Sequence, residues 1–177
     1  MSAEFPNDLV FVPLGGTEEI GMNFNLYGLR SASHEDWIIV DLGITFGDDT
    51  MPGVEIVVPD ASFAQEKREY LHGIILTHGH EDHLGAVPYL WDQLRCPVYA
   101  TPFTAALLRK KIHENTGKSD CEIIEVPLKG KFDIGPFSVE LLSLTHSMPE
   151  PNGLAIRTHF GTIFHTGDWK FDPEPVI

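Results

Sequence analysis

Basic residues are scarce in this sequence. Lysine and arginine number 12 against 26 aspartates and glutamates in 177 residues, a formal charge of −14. So acidic a chain lacks the broad basic surface that wraps nucleic acid non-specifically, although a local metal site could still hold a nucleic-acid substrate. The one compact basic run, Arg109-Lys110-Lys111, reads as a solvated helix face. Cysteine is scarcer still. Cys96 and Cys121 are too few for a disulfide framework, read as core residues, and fit a reducing cytoplasm best. No apolar run is long enough to cross a bilayer, so no membrane partner is expected. Met1-Ser2-Ala3-Glu4-Phe5 has neither the basic start nor the apolar core of a secretory signal. Repeats, low-complexity tracts and obvious linkers are also missing. With 42% hydrophobic residues, the chain is sized for one globular domain with a real core.

The order of elements points to an α/β layered fold with a mixed sheet. Leu9–Val12, Asn23–Leu29 and Trp37–Val40 read as strands, followed by a loop over Asp48–Asp60 with Pro52, Gly53 and Pro59. A helix is expected over Ala61–Tyr70, a strand over Gly73–Thr77, and an amphipathic helix over Asp82–Leu94 despite Pro88. Pro97–Ala100 and Glu122–Val126 are strands around a helix at Phe103–Glu114, which Asn115-Thr116-Gly117 ends. Two hairpins close the chain: Lys131–Ile134 with Phe137–Leu144, and Leu154–Thr158 with Thr162–His165.

The densest chemistry lies in His78-Gly79-His80-Glu81-Asp82-His83, directly after an apolar strand. His78 and His80 are two apart and point to one side of an extended backbone. Asp82 and His83 follow where the chain turns into a helix and can aim at a neighbouring point. Four ligand types this close suit two adjacent metal ions. Two later strand ends add His146, in Leu144-Thr145-His146-Ser147, and Asp168, in His165-Thr166-Gly167-Asp168. Taken singly, such residues are commonly structural. The cluster raises their standing, because its metals need more ligands than it can supply.

The working arrangement gives one metal to His78, His80 and His146, and a second to Asp82 and His83, with Asp168 bridging them. Imidazole and carboxylate donors suit zinc, and manganese fits them too. Two such ions can share a hydroxide, and the positive charge left over after two carboxylates favours an anionic phosphodiester. Asp82 and Asp41 are the carboxylates assigned to the catalytic group. Asp41 either holds the far nitrogen of a ligand histidine or forms a turn before Gly43. His165 is expected to point away from Asp168 and to be structural. Glu81 is expected to face solvent or to support the ligands. His34, His72, His113 and His159 read as surface or satisfied core residues.

His-x-His-x-Asp-His, a later lone histidine and a Gly-Asp pair resemble the metallo-β-lactamase fold hydrolases. The flanks are more specific and resemble the ribonuclease J family of the β-CASP group. They are Leu14-Gly15-Gly16-Thr17-Glu18-Glu19-Ile20-Gly21-Met22-Asn23, Val40-Asp41-Leu42-Gly43, Met51-Pro52-Gly53-Val54, Pro59-Asp60, Leu76–Ala86, Thr145–Glu150 and His165–Asp172. The resemblance implies an αββα layered fold, of which this chain holds the N-terminal half. It implies metal ligands at His78, His80, Asp82, His83, His146 and Asp168, with Asp41 matching the first motif. It also implies cleavage of RNA phosphodiesters, 5′→3′ exonucleolytic and endonucleolytic, in RNA maturation and decay.

On the same resemblance, residues 1–177 are the N-terminal part of a longer enzyme, without its β-CASP and C-terminal domains. One histidine ligand of the second metal then comes from the missing part, so that site is expected to hold its ion weakly. The fragment is expected to be inactive as a processive nuclease, and to self-associate through an exposed sheet edge. The competing readings are another hydrolase of this fold, acting on a thioester, lactone or lactam, and a non-catalytic metal-binding module. A di-iron oxygen-reducing site fits less well, since it would want a carboxylate where His80 stands.

Overall fold

The computed structural model describes residues 8–31, 33–116 and 120–174. The start that was read for a signal lies outside the described residues, as does Gly117 at the end of the third expected helix. A six-stranded sheet forms the centre. It is built from β1 (Asp8–Gly15), β2 (Phe24–Arg30), β3 (Glu35–Leu42), β6 (Leu71–Ile75), β7 (Val98–Ala100) and β8 (Ile123–Glu125), in that order. The first three pair antiparallel and the rest parallel. A second, antiparallel sheet has the order β12 (Gly161–His165), β11 (Asn152–Thr158), β10 (Phe137–Ser143), β9 (Lys131–Ile134).

The period-2 alternation of the central strands sorts their side chains onto two faces. Trp37, Ile39 and Ile74 join one buried cluster with Leu84, Leu90, Trp91, Leu94, Leu108 and Ile112 from the helices. Ile38, Val40 and Ile75 join the other with Phe137, Val139, Leu141, Leu154 and Ile156 from the second sheet. The layers therefore run helix, sheet, sheet. Among the described residues no helix covers the outer face of the second sheet, so three of the four expected layers are present.

Three expected elements differ. The segment read as loop from Asp48 to Asp60 contains β5 (Ile56–Val57), which pairs with β4 (Thr45–Phe46). The expected helix over 61–70 is α1 (Ser62–Glu66) followed by a separate 3-10 turn at Arg68–Tyr70. The expected helix over 82–94 is split into α2 (Glu81–Leu84) and α3 (Val87–Leu94). Tertiary hydrogen bonds explain the split. The Asp82 carbonyl accepts from the Asn23 N–H (2.9 Å) and Asn23 Nδ2 (3.2 Å), and the Ala86 N–H donates to Leu42 O (3.0 Å). The intrahelical bond that would join these two groups cannot form, and Pro88 supplies no N–H to repair it. The expected helix from Phe103 is α4 (Pro102–Thr116). Its basic run is ion-paired, Arg109 with Glu125 (2.5 Å), Lys110 with Glu114 (3.7 Å) and Lys111 with Glu81. No helix of the described residues is long and apolar enough to cross a membrane.

Between the layers Phe137 is wholly buried, whereas Phe171 is 92% exposed. Phe137→Ala should cost about 3–5 kcal/mol in urea unfolding, and Phe171→Ala no more than about 0.5 kcal/mol. Equal losses would contradict this account of the core.

Candidate metal centre

The C-terminal ends of β3 and β6 deliver the site, where open α/β sheets gather their ligands. After β6 the chain runs through Thr77-His78-Gly79-His80, bending at Thr77 and Gly79, and then enters α2, which carries Asp82 and His83. The turn is held by the segment that follows β3: Ile44 N–H donates to Glu81 O (3.0 Å) and Gly43 packs so closely on the Asp82 carbonyl that a Cβ there would collide with it. The second sheet contributes the rest, His146 from the loop after β10 and Asp168 from the segment after β12.

The structure brings all six expected ligands together. His80 Nδ1 lies 2.9 Å from His78 Nε2 and 3.2 Å from His146 Nε2. His83 Nε2 lies 3.5 Å from Asp82 Oδ2 and 3.5 Å from Asp168 Oδ2. Asp168 Oδ2 is also 3.8 Å from His146 Nε2, so it reaches both groups. Ligand atoms of His78, His80 and His146 converge within 4.8 Å, as do those of His78, His83 and Asp168. Imidazole nitrogens facing one another at hydrogen-bond range cannot all be satisfied by shared protons, whereas a cation among them satisfies every lone pair at once. His146 Nδ1 is buried without a protein partner, so only its Nε2 engages the cluster.

Asp41 resolves the two readings open for it. It is the unpaired residue of a bulge, since Phe24 pairs with Leu42 and Asn25 with Val40, and its φ is +63°. That conformation turns its fully buried carboxylate inward. Asp41 Oδ1 accepts from Thr77 N (2.8 Å), and Oδ2 from His83 Nδ1 (2.8 Å) and Thr77 Oγ1 (2.9 Å).

The electrostatics follow from this arrangement. Burial is the largest single influence on His83 and opposes its charge, but Asp41, Asp168 and Asp82 together outweigh it and raise its pKa to about 10. Burial, and then the charge on His83, push His78 down to about 3. The hydrogen bond from His83 holds Asp168 down to about 2. Burial pulls Asp41 up, yet the charge and hydrogen bond of His83 leave it below its ordinary value. Groups that differ this far in one small volume are frequent at functional sites.

The remaining sequence candidates lie elsewhere. Glu81 turns from the cluster to Lys111. His165 lies behind it, with Nδ1 2.9 Å from the Tyr27 hydroxyl, which matches its structural reading. His34 and His72 sit at the opposite end of the sheet, their Nε2 atoms 3.0 and 2.6 Å from Asp36 Oδ1. Sequence reasoning missed Asn23, whose Nδ2 is 3.2 Å from His83 Nε2, and Asn152, which donates to the Thr77 carbonyl. It also missed Thr77 as more than a strand residue. Its position directly before the first histidine was the available signal.

Metal analysis of the purified chain should find one tightly held zinc and a second, weakly held ion. His146→Ala should lower the tight zinc, and His113→Ala on the exposed side of α4 should leave it unchanged. Equal zinc in both variants would remove His146 from the site.

Residues 25–176 match the family model described as the Metallo-beta-lactamase superfamily. The chain is 50% identical over 170 residues to a protein named Ribonuclease J from Sinorhizobium meliloti, covering 96% of this chain and 30% of that protein. It is 38% identical over 171 residues to Ribonuclease J 1 of Streptococcus pyogenes, covering 97% and 30%. For Ribonuclease J of Helicobacter pylori the identity is 38% over 165 residues, covering 93% and 23%. The chain thus spans less than a third of the length of these relatives. Among solved structures, the metallo-beta-lactamase fold protein YhfI from Bacillus subtilis superposes with a TM-score of 0.63 at 17% identity, covering 94% of this chain and 65% of that one. A protein of unknown function from Enterococcus faecalis gives a TM-score of 0.66 at 19% identity, covering 92% and 44%. This chain belongs to the metallo-β-lactamase superfamily.

Proposed function

We propose that this chain is the N-terminal, metal-ligating part of a cytoplasmic, metal-dependent ribonuclease that hydrolyses RNA phosphodiesters in RNA processing and decay. The observation that carries the reading is the 50% identity to a protein named Ribonuclease J, running through the segments that hold the converging ligands. His78 Nε2, His80 Nδ1 and His146 Nε2 would hold one ion, Asp82 and His83 a second, and Asp168 both. Zinc suits these donors, and manganese is the second choice. Bound divalent metal would supply a hydroxide at neutral pH by lowering the pKa of water to about 7, and would offset charge on a phosphodiester.

The chain's own residues set the terms for this chemistry. Asp41 holds His83 by Nδ1, which leaves Nε2 to face Asp82 and Asp168. Burial keeps water from His78 and His83, each 1% exposed, so their field is little screened. His80, Asp82, His146 and Asp168 stay open on the outer side, where a substrate can approach. The rest of the relatives' length would supply the RNA-holding domain and the remaining second-site ligand. The 177-residue chain alone should therefore leave RNA intact. A version extended to the full length of the relatives should degrade RNA from its 5′ end and ignore small thioesters, and His80→Ala should abolish that activity. Thioester hydrolysis without RNA cleavage would favour the other hydrolases of this fold. Robust 5′→3′ degradation by the short chain would show the missing part to be dispensable.

Self-association belongs to the same reading. β12 is an edge strand of the second sheet and carries Phe164, 55% exposed. An edge of this kind can pair with another chain. Light scattering should find dimers of the short chain that Phe164→Lys disperses, and a monomer at all concentrations would dismiss the idea.

A further inference from the structure

Thr77 has no exposed surface, and its hydroxyl stands between Asp41 and two of the candidate ligand histidines, His78 and His83. Oγ1 lies 2.9 and 3.1 Å from the two oxygens of Asp41, 3.0 Å from His78 Nδ1 and 3.4 Å from His83 Nδ1. The backbone cannot drift, because Thr77 N donates to Asp41 Oδ1 and Thr77 O accepts from Asn152 N (3.1 Å). A threonine at a strand end is most simply a sheet-forming residue, but that role does not call for a hydroxyl here. Valine has the same shape and the same preference for strands.

A hydroxyl has one hydrogen and two lone pairs. The carboxylate of Asp41 is an acceptor, so the hydrogen goes to it. Oγ1 is then left to accept, and the donor within reach is His78 Nδ1–H. His83 Nδ1–H has a closer acceptor in Asp41 Oδ2, 2.8 Å away. With its proton on Nδ1, His78 presents a bare Nε2 toward His80 and His146. Asp41 thus holds His83 directly and His78 at one remove.

We propose that Thr77 is a positioning residue that carries the hold of Asp41 to His78 through its hydroxyl, fixing the proton on Nδ1 and freeing Nε2 for metal. The inference rests on the metal-centre reading, not on the identity of the substrate. Imidazoles that lose such a partner typically lose about 10- to 100-fold in metal affinity.

The test is zinc affinity by chelator competition on the 177-residue chain, with Thr77→Val and Thr77→Ser, together with two-bond ¹H–¹⁵N spectra of the histidine rings in the metal-free protein. Thr77→Val should bind zinc about 10- to 100-fold more weakly, and Thr77→Ser, which keeps the hydroxyl, should restore affinity close to that of the parent. In the parent, His78 should carry its proton on Nδ1. That spectrum needs no variant, so it decides the question even if Thr77→Val does not fold. Unchanged affinity in Thr77→Val, equal weakening in both variants, or a proton on His78 Nε2 would overturn the relay. A parent chain that binds no zinc would overturn the metal-centre reading itself, and the relay with it.

Discussion

A carboxylate with no exposed surface anchors this structure. Asp41 is an ionisable group placed at the junction of two apolar clusters, and burial of that kind opposes its charge. It is tolerated because its oxygens receive the Thr77 N–H, the Thr77 hydroxyl and His83 Nδ1–H, and because His83 brings a compensating charge. The backbone contributes as well. A non-glycine residue at φ +63° is uncommon and mildly costly, and it persists here because the bulge between β2 and β3 leaves Asp41 free of the ladder. Taking away one member of such a buried set strands the others, so the set behaves as a unit.

Around that anchor the two sheets act as jaws. The central sheet carries His78, His80, Asp82 and His83 on a single stretch that follows β6. The second sheet brings His146 and Asp168, and several contacts fix the distance between the halves. The N–H and Nδ2 of Asn152, at the start of β11, both donate to the Thr77 carbonyl, and the Gly79 N–H meets Met148 Sδ at 3.1 Å; within the second half, Lys170 N–H donates to Thr145 O at 2.7 Å and ties its two ligand-bearing segments together. Phe137, Val139 and Ile156 fill the space behind them. The apolar packing of the two sheets is therefore what sets the separation of ligand atoms, a pattern in which a rigid scaffold positions loop-borne chemistry.

Within the site, neighbouring imidazoles are driven in opposite directions. His83 is drawn toward the charged form by Asp41, and His78 is held neutral by burial and by that same charge. A neutral His78 keeps a lone pair free for a cation. Burial opposes charge on both rings, but His83 touches the carboxylate of Asp41 directly and faces Asp168 and Asp82, whereas His78 touches only the hydroxyl beside Asp41 and feels the charge of His83.

Much of this molecule was legible before folding was considered. The spacing of His78, His80, Asp82 and His83 marked a candidate metal site, because four potential donors within six positions are close whatever the chain does. Strand and helix periods announced the layers, because burial on one or two faces leaves its mark every two or nearly four residues. Other features were not legible. The break between α2 and α3 depends on Asn23 and Leu42 taking hydrogen-bonding groups that a helix would have used. The short pairing of Thr45–Phe46 with Ile56–Val57 lies in a stretch rich in proline and glycine. Asp41 could have been a turn former, and the one signal for Thr77 was its place directly before the first histidine.

Sequence by itself determined which donors exist and which sit on the same local stretch, since that depends only on chain geometry over a few residues. Only the tertiary structure decided that His146 and Asp168 join them, and that Asp41 and Thr77 stand behind them. Those encounters span tens of residues, and what brings them about is the packing of one sheet against the other.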